Sequence, residues 1–182
     1  KVIPMTEVRI VDVDNGADVE PNTEGELWIR GPQIMRGYLN RPDVTSQSID
    51  ESGWYRTGDI AYVDKDGFFY IVDRVKELIK YKGLQVSPAE LEALLLTHRD
   101  VADAAVIPVP DEEAGEIPKA YIVAKSDEYD ETILADQIMA FIKDLVAPHK
   151  RIRLLEFTST IPKSASGKIL RRVLIEQVRS KD

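Results

Sequence analysis

The chain changes from a strand pattern to a helix pattern near Arg74, and this change most constrains its fold. Before it, short runs such as residues 7–14 alternate apolar and polar side chains, which is typical of a half-buried strand. After it, Ser87-Pro88-Ala89-Glu90 combines a capping serine, a proline at the first helical position and a glutamate at the third, which predicts a helix to about His98. We therefore expect an α+β fold with a β-rich first part and a second part that carries the main helices.

Residues 1–74 are expected to form the β-rich part, in the shape of a distorted barrel. Asn15-Gly16 is a tight turn after the first strand, and Gly67 supplies a positive φ in a hairpin loop. The tripeptide Thr57-Gly58-Asp59 is interpreted as a glycine turn between two β runs. The predicted elements are strands 7–14, 26–30, 59–63 and 68–72 and a short helix at 45–49.

Residues 75–182 are expected to form a small α+β domain in which helices pack against a short sheet. The acidic segment 111–116 separates two apolar strands. The predicted elements are helices 87–98, 132–146 and 168–178 and strands 101–109, 117–125 and 151–157. The apolar face of the middle helix is predicted to carry Ile133, Leu134, Ile138, Phe141, Ile142 and Leu145.

Charge and composition exclude several kinds of function. With 24 Lys and Arg against 32 Asp and Glu, the formal net charge is −8, which argues against a nucleic-acid partner. The chain has no cysteine, and neither His98 nor His149 has a metal-ligand partner at a useful spacing, so we expect no metal site in this chain. No apolar run approaches the roughly 20 residues of a membrane-spanning helix. A cytoplasmic setting without a membrane span is therefore expected.

A set of charged residues between positions 59 and 83 suits a nucleotide. The carboxylate of Asp59 can accept hydrogen bonds from a vicinal diol such as a ribose, and Arg74 ends the next predicted strand, where it can reach the same ligand. Three ammonium groups and a glycine that permits close approach of a ligand follow. These residues are Lys76, Lys80, Lys82 and Gly83.

These residues also have plainer interpretations. Asp59 can be a turn residue that bonds to its own backbone, and Arg74 can be the surface partner of a neighbouring carboxylate. Lys168 ends the small-residue loop 162–168, where it can be a solvated lysine or can carry an ammonium group into a cleft. The residues alone leave both interpretations open.

Four segments, spread over residues 25–172, resemble the adenylate-forming superfamily, and in particular its branch of acyl-CoA synthetases, 4-coumarate:CoA ligases and beetle luciferases. Each segment is weak alone, but the four follow one another in the order of the family. They are GELWIRGPQIMRGYLN (25–40), GWYRTGDIAYVDKDGFFYIVDRVKELIKYKGLQVSPAELE (53–92), GEIPKA (115–120) and PKSASGKILRR (162–172).

The resemblance implies the activation of a carboxylic acid in two steps. The carboxylate attacks the α-phosphate of ATP and gives an acyl-adenylate and pyrophosphate, and the thiol of CoA then displaces AMP. Both steps concentrate negative charge, which fixed cations must offset. The resemblance implies that Asp59 binds the ribose hydroxyls, that Arg74 contacts the nucleotide and that Lys168 supplies the positive charge for the first step.

The resemblance also implies roles in the second step. Lys80 and Gln85 match positions that serve the adenylate and the second half-reaction, and Lys82 and Gly83 match the CoA side. Lys76 matches the hinge position and can also lie near the adenylate. Because the family places Lys168 and segment 80–85 on opposite faces of the small domain, a rotation about the hinge is expected between the two steps.

The resemblance further implies a domain assignment. Residues 1–74 match the C-terminal β-subdomain of the N-terminal AMP-binding domain, and residues 75–182 match the C-terminal lid domain. The family's phosphate loop, acyl pocket and Mg²⁺-binding glutamate lie upstream of this sequence. The rest of the N-terminal domain is therefore the expected partner, Mg²⁺ is expected to be bound there, and this chain alone is expected to be inactive.

Four functions remain open at this point. A CoA ligase fits best, since KYKGLQVSPAELE followed by PKSASGK is the form which that branch uses. A luciferase-type monooxygenase has the same motifs. An adenylation domain that loads a carrier protein fits less well, since no carrier-like segment follows Arg179. A non-catalytic binding module derived from the family would not need to retain Asp59, Arg74, Lys80 and Lys168.

Overall fold

The computed structural model describes residues 1–180, and the chain divides into two compact units. The first unit is Lys1–Lys76, and the second begins at Glu77, two residues beyond the predicted boundary. Two mainly antiparallel sheets and separate helices make up the described chain, which confirms the α+β class.

The first unit is an antiparallel sheet in which each strand pairs with the next along the chain. A short helix, α1 (Pro42–Ser48), confirms the predicted helix and begins three residues earlier, because Pro42 occupies its first turn. The predicted strands are confirmed as β1 (Glu7–Val11), β2 (Gly25–Arg30), β3 (Tyr55–Val63) and β4 (Phe69–Arg74).

The expected barrel is wrong, because this sheet is open. Within residues 1–180, β1 and β4 do not pair with each other, so each remains an edge of the sheet. Four strands are too few to close around a filled interior, for which small barrels commonly use about eight. The buried core of the sheet is correspondingly small and consists of Ile10, Leu27 and Ala61.

The second unit is a five-stranded sheet with helices on both faces. Its strands are β5 (Ile79–Tyr81), β6 (Leu84–Val86), β7 (Val101–Asp111), β8 (Gly115–Ala124) and β9 (Leu154–Phe157), and its helices are α2 (Pro88–Leu95), α3 (Glu131–Leu145) and α4 (Arg171–Arg179). The antiparallel strands lie in the order β6-β5-β8-β7, and β9 pairs with β8 in parallel.

Alternating residues of β7 and β8 bury two separate cores, because successive side chains of a strand point to opposite faces. Ala104 and Val106 belong to the larger core, which α2 and α3 cover. Ala105 and Ile107 belong to a smaller core, which α4 covers with Leu174. The α4 helix therefore lies on the face of the sheet opposite to α2 and α3.

Capping residues explain where two of these helices begin. The Ser87 hydroxyl accepts a hydrogen bond of 3.2 Å from the Glu90 amide, which confirms the predicted cap of α2. The Asp130 carboxylate accepts one of 3.0 Å from the Ile133 amide at the start of α3. The α2 helix ends at Leu95, before the predicted His98, and the chain closes there in a tight turn.

Other boundaries differ from the expectation. The α4 helix begins at Arg171 instead of residue 168. The acidic loop is shorter than predicted, because β7 and β8 pair as far as Asp111 and Gly115. On α3, the predicted apolar face is too wide, since Ile133 is 58% and Leu145 is 51% exposed.

Candidate functional site

Asp59 and Arg74 come together as the sequence predicted. They are direct cross-strand partners on β3 and β4, and the Nε of Arg74 lies 3.1 Å from Oδ1 of Asp59. The Asp59 side chain is 28% exposed and the Arg74 side chain 66% exposed. The pair is thus anchored in the sheet and accessible to a ligand.

The predicted turn at Thr57-Gly58-Asp59 is wrong, because these residues lie inside the continuous strand β3. The pairing of β3 with β2 shifts register between Glu26 and Trp28, and Gly58 adopts a φ of 73° at this bulge. The Gly58 amide donates to Glu26 Oε1 at 3.1 Å, and the Asp59 amide donates to the Thr57 hydroxyl at 3.0 Å. A bulge bends a strand and re-aims its side chains, so it sets the direction of the Asp59 carboxylate.

Two tyrosines beside this pair were missed by sequence reasoning. A hydrogen bond with Tyr38 raises the pKa of Tyr55, and partial burial and the nearby charge of Asp59 raise that pKa further. Tyr38 belongs to the GYLN end of a segment that carried the resemblance, so its position was available as a signal although no role followed from it. The two phenol rings extend the candidate site from the carboxylate towards the loop before α1.

Lys76 is exposed and lies in the middle of a single 3-10 turn, Val75–Glu77. This turn follows β4 directly and precedes β5 by one residue. A short 3-10 segment between two strands has few hydrogen bonds of its own to break, which suits a pivot.

Four of the predicted site residues lie on one hairpin, formed by β5 and β6. Lys80 and Gln85 are cross-strand partners, and Lys82 and Gly83 form the two-residue turn between the strands. Both turn residues have a positive φ, 50° and 78°, as a type I′ turn requires. A Cβ atom added at Gly83 would meet no atom of residues 1–180 within 4 Å. A ligand can therefore approach the backbone closely at this glycine.

Hydrogen bonds hold this hairpin against the β7–β8 turn and the first residues of β8. The Lys80 amide donates to Glu116 Oε2 at 2.8 Å, and the Lys82 amide donates to the Ala114 carbonyl at 2.8 Å. The Lys82 ammonium pairs with Glu113, and this bond and the carboxylate charge raise the pKa of Lys82. The side chain of Lys80 is exposed.

Lys168 lies in a small closed hairpin, where the sequence suggested an open loop. Lys163 and Ile169 form an isolated bridge, and the Ser164 amide donates to the Lys168 carbonyl at 2.8 Å. The Lys163 ammonium lies 2.6 Å from Asp103 on β7, which ties the hairpin to the sheet. The backbone at Lys168 is therefore held by bonds within the hairpin and by one ion pair to the sheet.

The structure does not bring Lys168 together with the β5–β6 hairpin. Lys168 lies in the hairpin that is attached to β7, one edge of the strand order, whereas Lys80 lies on β5 next to the other edge, β6. The second unit therefore carries two separate groups of cations: Lys168 beside β7, and Lys80 with Lys82 on the β5–β6 hairpin.

Two kinds of feature are absent from the part of the chain that the structure describes, a metal-binding cluster and a membrane-spanning helix. In residues 1–180 no group of three His, Cys, Asp or Glu side chains could hold a metal ion. No helix in that same range is long and apolar enough to cross a membrane.

Two family profiles match the chain. The profile of the AMP-binding enzyme family matches residues 1–39. The profile of the AMP-binding enzyme C-terminal domain matches residues 90–168.

Curated relatives match almost the whole chain. The probable CoA ligase CCL5 of Humulus lupulus is 54% identical over 98% of this chain and 32% of its own length. Peroxisomal OPC-8:0-CoA ligase 1 of Arabidopsis thaliana is 53% identical over 97% of this chain and 32% of its own length. 4-coumarate–CoA ligase 1 of Solanum tuberosum is 51% identical over 95% of this chain and 31% of its own length. The chain thus spans about a third of the length of these relatives.

Solved structures have the same fold. ATP-bound MatB from Rhodopseudomonas palustris matches with a TM-score of 0.85 and 27% identity, over 97% of this chain and 35% of that one. The o-succinylbenzoate CoA synthetase of Bacillus subtilis, in complex with its acyl-adenylate intermediate, matches with a TM-score of 0.81 and 33% identity, over 96% and 34%.

Proposed function

Because the chain belongs to the adenylate-forming superfamily, we propose that it is the C-terminal part of an ATP-dependent acyl-CoA ligase. The ligase activates a carboxylic acid as an acyl-adenylate and transfers the acyl group to CoA. The observation that carries this proposal is identity of more than half over nearly the whole chain to proteins named as CoA ligases. On this proposal residues 1–74 end the AMP-binding domain, residues 75–182 are the lid domain, and the chain alone is inactive.

In the first step, the first unit binds the nucleotide. Asp59 accepts hydrogen bonds from the ribose hydroxyls, and Arg74, which already lies against this carboxylate, contacts the same nucleotide. Lys168 supplies the fixed positive charge at the α-phosphate, where negative charge increases as the carboxylate attacks. Its closed hairpin supports this role, because the backbone that carries the lysine is held by hydrogen bonds while the side chain is exposed to a ligand.

In the second step, the β5–β6 hairpin replaces Lys168 at the adenylate. Lys80 and Gln85 then act beside the acyl-adenylate, and Lys82 and Gly83 line the path of CoA. The separation of the two groups on the sheet supports a rotation about Lys76 between the steps, since one cleft must receive them in turn.

The substrate, the metal and the compartment are finer parts of the proposal. The names of the relatives support a 4-coumarate-like acid or another carboxylic acid of that ligase class as the substrate. Mg²⁺ remains an expected cofactor, held by the upstream part of the N-terminal domain, and no step proposed here depends on it. We retain the cytoplasm as the expected compartment. A fluorescent fusion of the full-length protein tests it against the peroxisome, which the name of the Arabidopsis relative indicates for that protein.

The test is a panel of carboxylic acids with the full-length protein, ATP and Mg²⁺. Pyrophosphate release that requires one of the acids, followed by a thioester when CoA is added, is the expected result. Light emission in place of thioester formation would identify the luciferase-type reaction. Absence of pyrophosphate release with every acid, from a folded protein that binds ATP, would contradict the proposal.

A further inference from the structure

The side chain of Arg171 joins three parts of the second unit. Its Nη2 donates to Glu92 on α2 at 2.6 Å, and its Nη1 pairs with Glu77 at the end of the 3-10 turn. Glu92 in turn accepts a hydrogen bond of 2.8 Å from the Val106 amide on β7. None of these residues belongs to the candidate site described above.

Burial separates the roles of the two carboxylates. Glu92 is 7% exposed and the Arg171 side chain 15% exposed, so each needs the other to offset the cost of leaving water. The Glu77 side chain is 38% exposed and does not need a partner for that reason. Its contact with Arg171 is therefore not required by its own burial.

The orientation that lets the guanidinium of Arg171 contact both carboxylates leaves one of its nitrogens without a hydrogen bond to the described residues. The Nε of Arg171 is buried and has no hydrogen-bond partner within residues 1–180. An unmade bond at a buried donor is unfavourable, so the arrangement is held by the two Nη contacts. A planar fork of donors can bridge two carboxylates in this way, whereas a lysine ammonium is a single point of charge.

The bridge connects the two elements that the proposed mechanism needs to move together. Glu77 follows the hinge residue Lys76 directly, and Arg171 is the first residue of α4, immediately beyond the Lys168 hairpin. Glu77 and Arg171 are 94 residues apart in the sequence. The β5–β6 hairpin has separate anchors at Glu116 and Ala114 and does not depend on this bridge.

We propose that Arg171 is a positioning residue that fixes the Lys168 hairpin to the hinge segment. When the second unit turns about Lys76, the bridge from Glu77 through Arg171 carries Lys168 to a defined place. This inference rests on the proposed ligase function. It predicts that loss of the bridge harms the step that uses Lys168 more than the step that uses the β5–β6 hairpin.

The first test measures amide exchange in the 182-residue chain and needs no activity. The variants are Glu77→Gln, which removes the charge of the exposed partner, and Arg171→Lys, which removes the fork. Exchange at Lys168 and Leu170, whose amides bond to the Ser164 hydroxyl and the Pro162 carbonyl, should become faster by roughly two- to thirtyfold. Glu176→Gln breaks an exposed pair with Arg172 on the same helix and should leave this exchange unchanged.

The second test compares the two half-reactions in the full-length protein. In Glu77→Gln, the ratio of the adenylation rate to the rate of thioester formation from supplied acyl-adenylate should fall by roughly two- to thirtyfold. A mere loss of folded protein would lower both rates alike and leave this ratio unchanged. The KM for ATP should not change, because Asp59 and Arg74 lie in the first unit. If Arg171→Lys does not fold, Glu77→Gln decides alone.

Three results would each overturn the inference. The first is unchanged exchange at Lys168 and Leu170 in Glu77→Gln, and the second is an equal change of that exchange in Glu176→Gln. The third is an unchanged ratio of the two half-reaction rates in Glu77→Gln. If the wild-type full-length protein forms no acyl-adenylate from any acid, the ligase function fails instead. The exchange measurement still decides in that case whether Arg171 positions the Lys168 hairpin.

Discussion

At the residue scale, Asp59 obtains its position from a strand bulge and a cross-strand arginine. Both features are local, because Gly58 permits the positive φ and Arg74 is the direct partner on β4. The Asp59 side chain remains partly exposed beside Arg74, so its oxygens can accept hydrogen bonds from hydroxyl donors of a ligand.

We expect Asp59→Asn, in the full-length protein, to weaken ATP binding by about 1–3 kcal/mol, because hydrogen bonds to a charged acceptor are replaced by weaker ones. Isothermal titration with ATP measures the change. Asp66→Asn, in the exposed hairpin loop of the same sheet, is the matched control and should bind as the wild type does. Equal affinities of all three proteins would show that Asp59 has no part in nucleotide binding.

The sequence indicated some of these residues and not others, for physical reasons. Asp59 and Arg74 could be predicted together because both are charged and they flank two successive predicted strands, Asp59 at the start of the first and Arg74 at the end of the second. The bulge could not be predicted, since TGD has the composition of a turn and the register of β3 depends on its partner β2. Tyr38 and Tyr55 were missed because a contact between two loop-flanking phenols leaves no periodic signal in the sequence.

At the scale of the elements, the β5–β6 hairpin shows strain at a proposed functional position. Lys82 occupies the first position of a type I′ turn with a φ of 50°, where asparagine or glycine is preferred. A side chain in the left-handed region costs stability, and such residues persist where the surroundings or the function require them.

Lys82→Asn should therefore raise the thermal unfolding midpoint of the 182-residue chain, provided that the lost ion pair with Glu113 contributes little. Salt separates the two effects, because screening removes the exposed pair in both proteins. The gain in Tm should be larger in 1 M salt than at low salt. A lower midpoint at high salt would show that the turn is not strained by the lysine.

Elements with strong local signals were predicted well, and short elements were not. The start of α2 follows from Ser87 and Pro88, and the structure confirms it. β5 and β6 have three residues each, which is too few for an alternating pattern to be recognised. The start of α4 was set too early because Lys168 and Ile169 continue an apolar-charged pattern, whereas their backbone closes the hairpin with residues 163 and 164.

At the scale of the whole molecule, the two units differ in how much apolar surface they bury. The second unit has two cores on the two faces of its sheet, whereas the first has one small core. Several large apolar side chains of the first unit are exposed, among them Ile3, Met5, Leu39 and Ile71. An open sheet with exposed apolar residues is expected to gain stability from neighbouring strands of a longer protein.

We predict that residues 77–182 fold without residues 1–76. Circular dichroism of this fragment should show cooperative unfolding, and amide exchange in the 182-residue chain should be slower in the second unit than in the first. A fragment without a cooperative transition would contradict this prediction. Equal protection of both units, or better protection of the first, would contradict it as well.

The central claim is that one cleft is served in turn by two groups of cations on the second unit. The most direct measurement follows both half-reactions in the full-length protein with Lys168→Ala and Lys80→Ala. Lys168→Ala should slow acyl-adenylate formation by about 10²–10³-fold and still convert supplied acyl-adenylate and CoA to thioester. Lys80→Ala, and Pro in place of Lys76 to restrict the hinge, should chiefly slow the second step. If Lys168→Ala slows both half-reactions equally while the protein stays folded, the claim is contradicted.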